Sequence, residues 1–109
     1  MTVTVYGIPN CDSVKKALAS LKARGLTVHF HDFRKAGLTA DLLQAWLKQV
    51  DLAVLINRKG TTWRGLADAD KARADSLPNA IALLLETPTL IKRPVVDMDG
   101  KLTVGQTAF

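Results

Sequence analysis

The stretch Thr2-Val3-Thr4-Val5-Tyr6-Gly7-Ile8-Pro9-Asn10-Cys11-Asp12-Ser13-Val14, running on through Ala17, Leu18, Leu21 and Gly25 to Thr27–Asp32, decides the fold. Thr2 to Tyr6 alternates and is rich in β-branched residues, the pattern of a short strand. Gly7-Ile8-Pro9-Asn10 has the composition of a loop. Val14, Ala17, Leu18 and Leu21 then recur at i, i+3, i+4 and i+7, which predicts an amphipathic helix from about residue 12 to 24, with Gly25 as its C-terminal stop. Thr27 to Asp32 reads as a second strand. A strand–helix–strand unit over residues 2–32 implies parallel strands joined by a right-handed crossover.

Beyond this unit the pattern changes. Thr39 can cap a helix that carries Leu42, Leu43, Trp46, Leu47 and Val50 on one face. Leu52 to Ile56 is a short apolar run that fits a helical turn or a strand, with the helical turn favoured, and Asn57 to Thr62 reads as a loop. Ser76 is a good N-cap, and with Pro78 in the first turn it opens a helix through Ile81, Leu84 and Leu85 that ends before Pro88. Residues 39–86 are therefore expected to be mostly α-helical. Strand character returns at Pro94–Met98, Asp99-Gly100 is a strong hairpin signal, and Lys101 to Val104 forms the return strand. The expected fold class is α/β: a mixed four-stranded sheet built from βαβ and a ββ hairpin, with helices packed on it.

With 109 residues the chain fits one domain over residues 1–109, since two cores would not fit. Hydrophobic residues make up 48% and charged residues 23%, which excludes a disordered or collagen-like chain. The net charge is +5, but the longest basic runs are pairs such as Lys15-Lys16 and Lys92-Arg93, with acids scattered between them. No basic tract interleaves with the six aromatic residues, so nucleic-acid binding is not expected. The N-terminus lacks the basic and apolar regions of a signal peptide. Apolar runs such as Ile81 to Leu85 are far shorter than the roughly 20 residues a membrane span needs. A cytoplasmic protein is expected, where thiols stay reduced.

Cys11 is the one cysteine of the chain, so no intramolecular disulfide, multi-cysteine zinc site or CxxC pair is possible. It sits where a strand has ended and a helix begins, where unpaired backbone N–H groups and the helix dipole favour a thiolate. An ordinary thiol with pKa ~8.5 is only a few per cent ionised at neutral pH, and reaching ~6.5 takes roughly 2.7 kcal/mol. A helix dipole supplies ~0.3–1 kcal/mol and occasionally ~2. Amide hydrogen bonds or a nearby cation must supply the rest, and arginine, permanently charged and bidentate, is the natural candidate. A lone cysteine can also be an inert buried hydrophobe. The Gly-Ile-Pro-Asn-Cys-Asp turn, outside the apolar register of the helix, favours the reactive reading. His29 and His31 share a strand face, but no third ligand stands out, so no metal site is expected. Asp12 belongs to the first turn of the helix. Arg58 and Arg93 read by themselves as solvated side chains, and Pro94 after Arg93 allows a cis bond at the mouth of a strand.

Three stretches in this order resemble the arsenate reductase-like (ArsC/Spx) family, and within it the YffB-type branch. They are Val5 to Ala17, then Asn57-Arg58-Lys59-Gly60-Thr61-Thr62-Trp63-Arg64, then Pro88 to Val96 with Ile91-Lys92-Arg93-Pro94-Val95. The resemblance implies a thioredoxin-like fold in which residues 39–86 are a helical insertion. It implies that Cys11 is the nucleophile, that Arg58 and Arg93 line its anion site with Asn10 beside the cysteine, and that Pro94 occupies the family's cis-proline position. The implied activity is a glutathione-dependent thiol oxidoreductase with no bound cofactor, acting on a disulfide or an oxyanion and resolved by an external thiol. Three departures bear on the two alternatives, an arsenate reductase proper and a non-enzymatic Spx-like transcriptional regulator that binds RNA polymerase. Arsenate reductases proper carry a third arginine where this chain has Val104, and a histidine where it has Gly7. Spx regulators, which bind RNA polymerase, carry a CxxC switch, whereas here Val14 stands three residues after Cys11.

Overall fold

A computed structural model of the chain describes residues 2–109. The alternating segment forms β1 (Thr2–Gly7), the amphipathic segment α1 (Asp12–Ala23), and the second β-rich run β2 (Thr27–Asp32). A short helix α2 (Phe33–Ala36) follows, capped by the Asp32 carboxylate, which accepts from the Arg34 amide at 2.9 Å. Helices α3 (Ala40–Leu47), α4 (Leu52–Leu55), α5 (Thr61–Arg64), α6 (Asp68–Ala72) and α7 (Leu77–Glu86) come next, and then β3 (Val95–Met98) and β4 (Lys101–Val104).

The contacts group into two units: residues up to Gly37 together with Arg93–Phe109, and residues Leu38–Lys92. The first holds the sheet, in the order β2-β1-β3-β4. β1 and β2 are parallel from Thr2 opposite Thr27 to Gly7 opposite Asp32, and β1–β3 and β3–β4 are antiparallel. This is the mixed four-stranded sheet expected from the βαβ unit and the hairpin. At the hairpin, Asp99 and Gly100 take φ of 53° and 89°, the left-handed pair a tight two-residue turn needs, and the Asp97 carboxylate accepts from the Gly100 amide at 2.8 Å. Val3, Val5 and Val96 from one sheet face meet Val14 and Leu21 of α1, all fully buried.

α1 lies close against the end of β1. A Cβ placed on Gly7 would sit 2.6 Å from Cγ2 of Val14, closer than real Cβ atoms come. Gly7 is thus the residue that lets the helix begin where it does, and a bulkier side chain there collides with a buried valine.

In the second unit Thr39 caps α3 as expected, its hydroxyl accepting from the Leu42 amide at 3.2 Å. Leu43 and Trp46 are the buried residues of α3, which ends at Leu47, so Val50 lies beyond it. Three local expectations need correction. Ser76 stands at the start of α7 but makes no side-chain capping bond; Pro78 in the first turn removes one of the donors that needs capping. The loop after Ile56 ends at Gly60, because Thr61 and Thr62 are already helical. Ile56 leaves α4 to pair with Ile91 in a short antiparallel bridge, flanked by Asn57 N to Leu90 O and Lys92 N to Leu55 O, each 2.8 Å. At the far end, Arg73 grips Glu86 through both guanidinium branches and reaches Asp70. The hydrogen bond from Arg73 holds the Glu86 carboxyl below its usual range and raises the guanidinium in turn. Among the described residues no helix is long and apolar enough to cross a membrane.

Gly7→Ala is expected to destabilise the protein by about 1–3 kcal/mol, the range for overpacking a tight contact, measured by denaturant unfolding. If Val14 were also shortened to Ala, part of that loss should be recovered, because the collision is between those two side chains.

Candidate active site

Cys11 is the N-cap residue of α1, with extended backbone angles (φ −104°, ψ 123°) and its carbonyl accepting the first helical bond from the Lys15 amide at 3.0 Å. The next amides along the helix have no carbonyl partner within it and face back toward the loop. α1 spans 12 residues, and Asp12 lies in its first turn, adding negative charge near the sulfur. The thiol is free and half-buried, packed against the cluster of Val3, Val5, Val14, Leu21 and Val96. The sequence register places Cys11 outside the helix's apolar stripe; the cap conformation nevertheless turns it onto the edge of the core. Pro9 and Asn10 before it are exposed.

Strand register gathers the other first-unit candidates at the same end of the sheet. Tyr6 pairs with Val95, and Val95 with Val104. One step further along, Gly7 leads into the loop that carries Cys11, and Pro94 is joined to Arg93 through a cis peptide bond. Gly105 donates to the Pro94 carbonyl at 2.8 Å, tying the β4 end to this turn. Arg93 is half-buried, and its Nη1 is shut from solvent with no hydrogen-bond partner among the described residues. A buried guanidinium nitrogen without an acceptor is costly, and an anion delivered to it recovers that cost. Tyr6, on β1, stacks on His31 with ring centroids 4.9 Å apart. Burial, and then the nearby Asp97 carboxylate, push its phenol above the usual range, so it stays a neutral hydroxyl. His31 is further fixed by Nε2 donating to the Gly37 carbonyl at 2.7 Å. Among the described residues no group of three or more His, Cys, Asp or Glu side chains comes together as a metal site.

Arg58 lies in the second unit, exposed, on the loop between α4 and α5. Its guanidinium carbon stands 5.2 Å from the ring centre of Trp63. The loop is braced from several sides. The Asn57 side-chain oxygen accepts from the Lys59 amide at 3.2 Å, and Arg64 Nη2 donates to the Lys59 carbonyl at 2.7 Å. Sequence reasoning singled out Arg58 but did not find Trp63 as its seat or Arg64 as the brace. The only available signal was the Asn57–Arg64 stretch itself, where an aromatic follows a basic pair at short range.

Residues 6–108 match the model of the ArsC family. An arsenate reductase of Rhizobium meliloti is 32% identical over 98 residues, covering 88% of this chain and 69% of that protein. Among solved structures, a YFFB protein shares 36% identity at a TM-score of 0.85, over 94% of this chain and 89% of that one. An arsenate reductase-related protein from Brucella melitensis shares 44% identity at a TM-score of 0.78, over 97% and 88%. The fold of this chain is accordingly the thioredoxin-like α/β fold that the sequence resemblance implies.

Replacing Arg93 by Met, of comparable reach but without an unpaired nitrogen, is expected to raise unfolding stability by about 1 kcal/mol. In the same series inorganic phosphate should raise the melting temperature of the parent and leave that of Arg93→Met unmoved. A parent indifferent to phosphate would mean that no anion reaches this nitrogen.

Proposed function

Because the chain belongs to the ArsC family, we propose that it is a thiol-dependent oxidoreductase working through a single cysteine, with glutathione as co-substrate. The observation that carries the reading is the position of Cys11: a free, half-buried thiol at the cap of a 12-residue helix, in a chain with no second thiol. The helix start and Arg93 supply positive potential of the kind a thiolate needs.

In the proposed cycle the Cys11 thiolate attacks the glutathione sulfur of a mixed disulfide. The substrate's S–S bond breaks, the substrate leaves as a thiolate, and a Cys11–glutathione disulfide forms. The thiolate of a second glutathione then attacks this disulfide, releasing glutathione disulfide and restoring the Cys11 thiolate. Each turnover consumes one reduced glutathione, which becomes oxidised to the disulfide level as the substrate sulfur is reduced to a thiolate, and no bound cofactor takes part. Arg93 and Arg58 hold anionic groups of the reactants, Asn10 contributes polar contacts beside the cysteine, and Pro94 shapes the turn next to it. A cycle that consumes reduced glutathione suits a reducing compartment, the cytoplasm.

Cys11→Ser is expected to lower turnover of a glutathionylated peptide to the uncatalysed background in a glutathione-coupled assay. With substrate alone, mass spectrometry of the parent should show one glutathione added at Cys11. Retention of full turnover by the serine variant would remove the mechanism.

A second reading, arsenate reduction, is favoured by the likeness to the Rhizobium meliloti protein. Its weak point is Val104, at the end of β4 opposite Val95, where the resemblance implies an oxyanion-holding arginine. The parent should form arsenite slowly, and Val104→Arg should speed it. Rapid arsenite formation by the parent would make arsenate the better substrate and the missing arginine irrelevant.

A further inference from the structure

The second unit contains a cavity of about 330 Å³, lined by Arg58, Lys59, Lys92 and Asn57 over the aliphatic surface of Val54 and Ile56. Three cations and no acidic side chain face it. None of the three has an ion-pair partner among the described residues. Arg58 is seated on a neutral ring, Trp63. The frame is well defined: the Ile56–Ile91 bridge and its two 2.8 Å flanking bonds hold the chain just before Arg58 against the chain just before Lys92. Asn57 and Arg64 fix the turn at Lys59 from both sides. Val54, 46% exposed, is one of the two large apolar side chains left open to solvent among the described residues, and it lines this cavity.

Like charges collected around one concavity repel each other, and a ligand with several negative groups relieves all of these repulsions at once. A single carboxylate meeting one exposed cation gains little. We propose that this cavity binds a small polyanion: a molecule with two or more carboxylate or phosphate groups on a short aliphatic frame that rests on Val54. The proposal depends on the reading of Arg58 as an anion-binding residue and adds Lys59 and Lys92 as its partners. A thiol co-substrate with two carboxylates belongs to this class.

The test is an NMR titration of ¹⁵N-labelled Cys11→Ser protein at low ionic strength, so that no thiol chemistry enters. Citrate and pyrophosphate are the polyanions, and acetate at matched ionic strength is the single-charge comparison. Saturable amide shifts are expected over residues 53–59 and at Lys92, with binding weakened by added salt. The stronger of citrate and pyrophosphate identifies the carboxylate or the phosphate source. Lys59→Gln with Lys92→Gln should weaken binding about three- to tenfold, the range for losing two exposed charge contacts. Lys22→Gln with Lys48→Gln, the same charge removed elsewhere, should change it by less than about twofold. Acetate binding as well as citrate, an equal loss in the control pair, or no saturable shift with either polyanion overturns the proposal. If Arg58→Ala weakens binding while the Lys59/Lys92 pair does not, the proposal falls and the reading of Arg58 stands. If the reverse holds, the reading of Arg58 falls and the proposal, which depends on it, falls with it.

Discussion

The contact between Val14 and the backbone at Gly7 sets the geometry on which everything else at the sheet edge depends. Because β1 ends in a residue without a side chain, the first turn of α1 can sit directly on the strand, and the loop between them needs only Ile8, Pro9, Asn10 and Cys11. That short loop leaves Cys11 as the cap residue, with its sulfur against the buried valines and its neighbouring amides unpaired. A histidine at position 7, which the resemblance places in the arsenate reductases proper, would need Val14 to move.

The charged residues fall into two groups. Arg73 is satisfied: it holds Glu86 with both branches and reaches Asp70, and it works as a brace between α7 and the turn before it. Arg93 and the Arg58, Lys59 and Lys92 group have no carboxylate partner among the described residues, and one nitrogen of Arg93 is buried as well. Arg93 has lost part of its solvent, and Arg58, Lys59 and Lys92, although exposed, are gathered round one cavity with no acid among its lining. Unpaired cations that line a cavity or lose solvent are better accounted for by anions that come and go.

Much of this was legible in the sequence because the relevant signals are local. Valine alternation, the 3.6-residue spacing from Val14 to Leu21, and Asp99-Gly100 report backbone preferences that act within a few residues, and all of them reappear in the sheet and α1. The Thr39 cap appears for the same reason. The failures have a different origin. Ser76 has the right identity for a cap, but Pro78 changes which donors need one. Thr61 and Thr62 are weak helix formers taken up into a turn that Arg64 braces from behind. Cys11 lies outside the helix register, yet the cap torsions carry it to the core edge. Trp63 under Arg58 and the Ile56–Ile91 bridge that frames Lys92 are tertiary contacts with no periodic signature. The family resemblance named Arg58, Arg93 and Pro94 where their local sequence alone suggested solvated arginines and an ordinary turn.

Whether Cys11 is a reactive thiolate or an inert thiol at the core edge is the question on which the functional account turns, and its alkylation rate answers it most directly. Iodoacetamide labelling of Cys11 at pH 6.5 is compared between the folded chain and the same chain in urea. Helix-start and Arg93 activation predicts faster labelling in the folded protein despite half-burial of the sulfur, with the advantage reduced in Arg93→Ala. Slower labelling when folded, unaffected by Arg93→Ala, would contradict the account and leave Cys11 as a packing residue.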